Sequence, residues 1–149
     1  MDADSLVSLF GQEAGVPLAL SEARTLALAF ESGPTVQIEH DFSLDVLHCY
    51  VVLGRFPVEA ERGSALARLL LRANAFCRDT GGATLGLDGD EIILSRRLEI
   101  SRADTGWLRL TVESLVMVAQ DWSSKLDAAP PEARTHAVAF SMPDFGLRV

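Results

Sequence analysis

An α+β fold, with helices packed on a mostly antiparallel twisted sheet in the order α-β-β-β-α-β-β-α, is what this sequence predicts. Three observations carry it. Apolar residues alternate with a period of two over four short segments bounded by Gly, Pro and Asp, as half-buried strands require. Two longer segments repeat them at i, i+3, i+4 and i+7, the spacing of a helix with one buried face. A fifth extended segment, 45–53, is apolar on both faces, so a sheet must place it centrally or cover it on both sides. Helices on such a sheet make an α+β domain.

The first helix is capped by Asp4 or Ser5 and runs to about Glu13, with Leu6, Leu9 and Phe10 on one face and Gly15 and Pro17 ending it. Leu26, Leu28 and Phe30 then alternate with small residues, Gly33-Pro34 turns the chain, and Val36 and Ile38 alternate with Gln37 and Glu39. These are two antiparallel strands. In the third strand Leu47, Cys49, Val51 and Leu53 point one way and Val46, Tyr50 and Val52 the other, before Gly54 and Pro57 break it.

The stretch 59–98 is the most informative. Its helix sets Leu66, Leu69, Leu70, Ala73, Phe76 and Cys77 in one stripe expected to be core, while Ala67, Leu71 and Ala75 fall outside it. With Arg68 and Arg72 on the remaining arc, Ala67, Leu71 and Ala75 form a small, smooth apolar strip left in water, which reads as a subunit interface. Arg78-Asp79-Thr80-Gly81-Gly82 is expected to stop the helix, because paired glycines supply the positive φ of a C-cap. Leu85 and Leu87, the turn Asp88-Gly89, and Ile92, Leu94 and Leu98 then make a hairpin. Asp104 or Thr105 caps a third helix whose seam, Leu108, Val112, Leu115, Ala119, Trp122 and Leu126, should lie across the sheet. Pro130-Pro131 closes a domain of residues 1–129, leaving a tail, 130–149, that is either an edge strand around 137–142 or disordered.

A chain of 149 residues buries roughly 70% of its unfolded surface and needs neither staple nor metal to fold. Thirteen basic against 21 acidic residues give a formal charge of -8 and a pI near 4.8, which disfavours a nucleic-acid surface and suits solubility or a basic partner. The N-terminus, Met1-Asp2-Ala3-Asp4, has no basic region and no apolar core of a secretory signal, and no apolar run reaches the ~18 residues of a membrane span. Cys49 and Cys77 lack C-x-x-C spacing and are expected to be reduced core residues, placing the chain in a reducing cytoplasm.

Catalytic chemistry finds few candidates. His40, His48 and His136 stand at no metal-ligand spacing from another His or Cys, and Gly81-Gly82-Ala83-Thr84-Leu85-Gly86 follows a helix and lacks the lysine of a phosphate loop. Asp88-Gly89-Asp90-Glu91 lacks the ligand order of a calcium loop, and Glu59 and Glu61 simply suit a helix start. The expectation is no catalytic residue, no cofactor and no metal.

Three segments carry a family resemblance: Leu69-Leu70-Leu71-Arg72-Ala73-Asn74, Thr80-Gly81-Gly82-Ala83-Thr84-Leu85-Gly86-Leu87-Asp88, and Ile93-Leu94-Ser95-Arg96-Arg97-Leu98. With Leu9-Phe10-Gly11, Gly15-Val16-Pro17-Leu18 and a closing helix containing Trp122 and Leu126, this ordered set resembles the Tir chaperone family, the class I chaperones of bacterial type III secretion. The resemblance spans roughly residues 6–126.

It implies the same element order, and a homodimer joined through the middle helix and the strand after the glycines, about 82–87. Ala67, Leu71, Ala75, Thr84, Leu85 and Leu87 are the interface residues so implied. It further implies ATP-independent binding of an extended N-terminal segment of a secreted effector, keeping it soluble and export-competent in the bacterial cytoplasm, by strand addition and apolar pockets. Leu6, Leu9, Phe10, Leu28, Val36 and Ile38 are the candidate client contacts. The secretion ATPase is a further candidate partner; nucleic acid and stable membrane insertion are not expected. A regulator of the same fold that binds an anti-activator or a secretion-gate protein is the first alternative, and a small enzyme with an unrecognised site the second.

Overall fold

The computed structural model describes residues 1–126 and the backbone of 137–139. Its elements are α1 (Ala3–Ala14), β1 (Thr25–Ala29), β2 (Val36–Asp41), β3 (Val46–Arg55), α2 (Ala60–Asn74), β4 (Thr84–Asp88), β5 (Glu91–Glu99), α3 (Thr105–Leu126) and β6 (Ala137–Ala139). The α+β class and the element order are therefore as the patterns predict. The strands form one sheet in the order β4-β5-β3-β2-β1-β6, in which every pairing is antiparallel except that of β6 with β1.

The doubly apolar strand sits where its composition requires. β3 lies between β2 and β5, with Leu47, Cys49, Val51 and Leu53 buried. Cross-strand partners share a face, so Cys49 opposite Ile38, and Val51 opposite Leu94, extend one apolar layer across the sheet. α3 covers that layer with Leu108, Val112, Leu115, Ala119 and Trp122, the expected seam, while Leu126 is half-buried at its end. The Trp122 indole N–H donates to the Asp79 carbonyl at 2.9 Å, so the largest core side chain is also satisfied as a polar group. Asp104 caps α3 by accepting from the Trp107 amide at 2.7 Å.

α1 is clamped at both ends. Its cap is Asp2, two residues before the earliest cap expected, and it accepts from the Ser5 amide at 2.8 Å. Near that end Arg24 donates to both carboxylate oxygens of Asp4, at 2.8 and 2.9 Å, and to His40 Nδ1 at 2.8 Å, with its guanidinium over the Phe42 ring. Arginine only donates, so His40 Nδ1 must accept and Nε2 carries the ring proton, 3.7 Å from Asp45. At the other end Glu13 receives Thr105 Oγ1 at 2.6 Å and Arg109 at 2.7 Å. His40 thus has a structural role, His48 is half-exposed near Asp41, and His136 lies outside the described residues.

α2 departs from expectation. Of its predicted core stripe only Leu70 and Ala73 are buried; Leu66 is half-buried, and Leu69, Phe76 and Cys77 are exposed. The reason is position: α2 packs on β4 at the margin of the sheet, and the layer over the sheet's centre belongs to α3. Cys77 is consequently not a core thiol, although Cys49 is, with burial pushing its pKa up to about 12.

The helix also stops earlier than the glycine pair. It ends at Asn74 and passes through a 3-10 turn, Ala75–Cys77, in which Phe76 and Cys77 adopt φ of 59° and 52°. Gly81 and Gly82 also have positive φ, but they build the approach to β4, where a Cβ on Gly81 would come within 3.0 Å of Val118. Asn74 explains the early stop: its amide nitrogen donates to the Leu85 carbonyl and its oxygen accepts from the Leu85 amide, both at 2.8 Å. One side chain so mimics a strand partner and fixes the helix end to β4.

Candidate partner-binding surfaces

Two exposed apolar surfaces flank the core. The first is built by α2 and β4. On α2, Leu71 is 71% exposed, Leu69 is also exposed, and Ala67 is half-buried. Beyond the helix end Phe76 is 86% exposed, in a left-handed conformation that a bulky residue rarely adopts. Arg78 lies over its ring at 5.2 Å. A strained, solvated phenylalanine just past a helix that also exposes Leu71 is costly in both backbone and hydration energy, which points to a covered state. β4 beside it is an edge strand carrying exposed Leu87 and Thr84.

A model of the Tir chaperone protein (CesT) family matches residues 5–123. The chain belongs to that family. No curated protein sequence matches it. Among solved structures it is similar to one in the ExsC-ExsE complex, at 19% identity over 90% of this chain and 100% of the other, with a TM-score of 0.67. A chain of the HopA1-SchA chaperone-effector complex matches at 15% identity over 80% and 91%, with a TM-score of 0.66. One from the ExoU-SpcU complex of the Pseudomonas aeruginosa type III secretion system matches at 20% identity over 82% and 95%, with a TM-score of 0.61. These likenesses establish the Tir chaperone fold.

Of the six residues that family resemblance assigns to self-association, Ala67, Leu71, Ala75, Thr84 and Leu87 reach the surface. Leu85 does not. It is 4% exposed, because it pairs with Leu94 on the apolar face of the sheet and its backbone is held by Asn74. The client contacts need a larger correction. Leu6, Phe10, Leu28, Val36 and Ile38 are all buried, and only Leu9 is exposed, at 43%. Alternation marks residues that face away from water; it does not say whether the chain itself or a partner covers them.

Residues not singled out from the sequence supply the second surface. Trp107, Leu110 and Met117 are exposed on the side of α3 away from its seam, at the helical spacing i, i+3, i+10. Phe42 and Leu44 are exposed in the turn between β2 and β3, which Asp41 orders by accepting from the amides of Ser43 and Leu44 and from the Ser43 hydroxyl. Those hydrogen bonds, the Ser43 hydroxyl first, hold the Asp41 pKa below its ordinary 3.8. The α3 row was legible as a second apolar stripe, whereas the exposure of Phe76 depends on a backbone turn with no local signature.

Among the described residues no cluster of His, Cys, Asp or Glu is placed to hold a metal ion, and no helix is long and apolar enough to cross a membrane.

Proposed function

We propose that this chain is a homodimeric, ATP-independent chaperone of type III secretion. It binds an extended segment near the N-terminus of a secreted effector in the bacterial cytoplasm and keeps that segment soluble and export-competent. The observation that carries the reading is the α2–β4 surface of a Tir chaperone fold, where Leu71 and the strained Phe76 stand in water beside a free sheet edge. Apolar area on this scale is stabilised by a second copy, and the dimer then presents paired client surfaces on either side. Ala67, Leu71, Ala75, Thr84 and Leu87 face that second copy, with Phe76 added to them.

Leu9 leads the client-facing residues, and the other five candidates support it as core. The fold is shared with a chain of a chaperone-effector complex, which supports a client of the same kind. Binding rather than catalysis is the activity. The net charge of -8 favours a client segment carrying basic residues, with an affinity that falls as salt rises. The secretion ATPase is a secondary partner on this reading.

Native mass spectrometry of the tagged protein, purified gently from its own bacterium under secretion-inducing conditions, tests the proposal. The expected species is a dimer carrying one copy of a larger protein, retained when that protein is cut down to its N-terminal segment. A bare monomer overturns the dimer and the client together, and a dimer bound to a regulator of secretion redirects the function while keeping the interface.

A further inference from the structure

The two edges of the sheet are protected differently. β4 carries Gly86 and Asp88 and runs into the acidic turn Asp88-Gly89-Asp90-Glu91, features that discourage further strand pairing. β1 reads Thr-Leu-Ala-Leu-Ala, with no charge, no proline and no bulge in its pairing to β2. Arg24, the nearest charge before it, is turned toward Asp4 and His40 and so does not guard the edge. Such a strand is an open template for another backbone. In this chain it is occupied: Ala27, Leu28 and Ala29 pair with Ala137, Val138 and Ala139 of β6.

That occupant is weakly built. β6 is three residues long, against ten for β3 and nine for β5, and it is the one parallel pairing in the sheet of the described residues. Parallel pairing is less stable per residue than antiparallel. Its sequence, Ala-Val-Ala, offers little apolar area. Three residues of main-chain pairing hold it to β1.

We infer that residues 137–139 hold the β1 edge of the same chain as a displaceable placeholder against an incoming extended segment. The inference rests on the chaperone reading for its purpose: a client strand competing for this edge must first release β6, so the empty chaperone does not expose a bare template. An occupied edge lowers the apparent affinity of any incoming strand by the fraction of time β6 is released.

The test uses the full chain and requires no client. In an edge strand alternate amides face the neighbour, so Val138→Pro removes the ladder donor if residue 138 faces β1, and the double variant A137P/A139P does so if its neighbours do. Both leave residues 1–126 untouched. A fluorescein-labelled peptide copying residues 134–142 is titrated into the native chain and each variant, with anisotropy as the readout. Hydrogen exchange of the Thr25–Ala29 amides is followed in parallel. One of the two variants should bind the peptide about tenfold more tightly than the native chain and exchange its β1 amides faster by a similar factor. If neither variant differs from the native chain in β1 exchange or in peptide binding, the placeholder is overturned. Because that result involves no effector, it leaves the dimer and client test standing by itself.

Discussion

α2 and α3 belong to one chain and carry similar apolar repeats, yet they use them in opposite ways. α3 lays its seam across β3 and β5, seals it with Trp122, and is capped by Asp104. α2 touches chiefly β4, buries only Gly63, Leu70 and Ala73 along its length, and has no side-chain cap at Glu59. The difference teaches that a periodic apolar stripe states a demand for cover without naming what supplies it. In α3 the sheet answers that demand. In α2 the described residues leave it unanswered, and on the proposed function a second copy answers it.

Substitutions in the two helices should therefore fail in different ways. The largest effect is expected from Trp122→Ala, which opens a cavity beneath α3 and leaves the Asp79 carbonyl unpaired, costing about 3–5 kcal/mol. Its urea midpoint should fall steeply while any assembled protein keeps its native mass. Leu71→Asp should do the reverse. A carboxylate placed at the centre of an apolar interface weakens association on the order of a hundredfold or more, and analytical ultracentrifugation would show monomers with an unchanged circular dichroism spectrum. A Leu71→Asp protein that still sediments as the native species would break the contrast between the helices.

Asn74 joins the two behaviours, because its side chain fixes the end of α2 to the sheet. Asn74→Ala removes both of its hydrogen bonds to Leu85, at an expected cost of about 2 kcal/mol. Loss of the anchor should also loosen the α2–β4 angle, so association weakens along with stability. Denaturation and sedimentation measured on the same variant would show whether the two are coupled.

What was legible in the sequence follows from the same contrast. The doubly apolar β3, the β4–β5 hairpin around Gly89 and the α3 seam were readable because each is a local pattern satisfied within the chain. The fate of Leu69, Phe76 and Cys77 was not, since periodicity continues past Asn74 while the helix does not. Asn74 appeared only as one letter of a family pattern; its role needs Leu85 eleven residues away in a particular register. Similarly, Leu28, Val36 and Ile38 alternate as client-facing residues would, and their burial is decided by α1 and α3 folding over them. Charge told least about place, since a balance of -8 says nothing about which face carries it.

The smallest expected effect concerns pH and separates α1 from α2. Asp2 caps α1, and its hydrogen bonds from Ser5, the backbone one foremost, hold its pKa below the ordinary 3.8; the Ser43 hydroxyl does the same for Asp41 in the β2–β3 turn. Both carboxylates therefore bind fewer protons in the native state than in the unfolded one at a pH near 3.8. Their contribution is fully present above that pH and is lost as pH falls through the lowered native values. Both groups lie at the surface, so the change in melting temperature on acidification should be modest. Asp2→Asn keeps a capping oxygen but removes the titration, and should flatten the acid limb of stability without altering it at pH 7. α2 has no such cap to lose, so hydrogen exchange at its first turn should be indifferent to the same acid step, after correction for intrinsic rates, while that at the first turn of α1 accelerates. An acceleration at the start of α2 equal to that in α1 would mean that the two helices open as one unit, and the contrast between them would then be one of exposure alone.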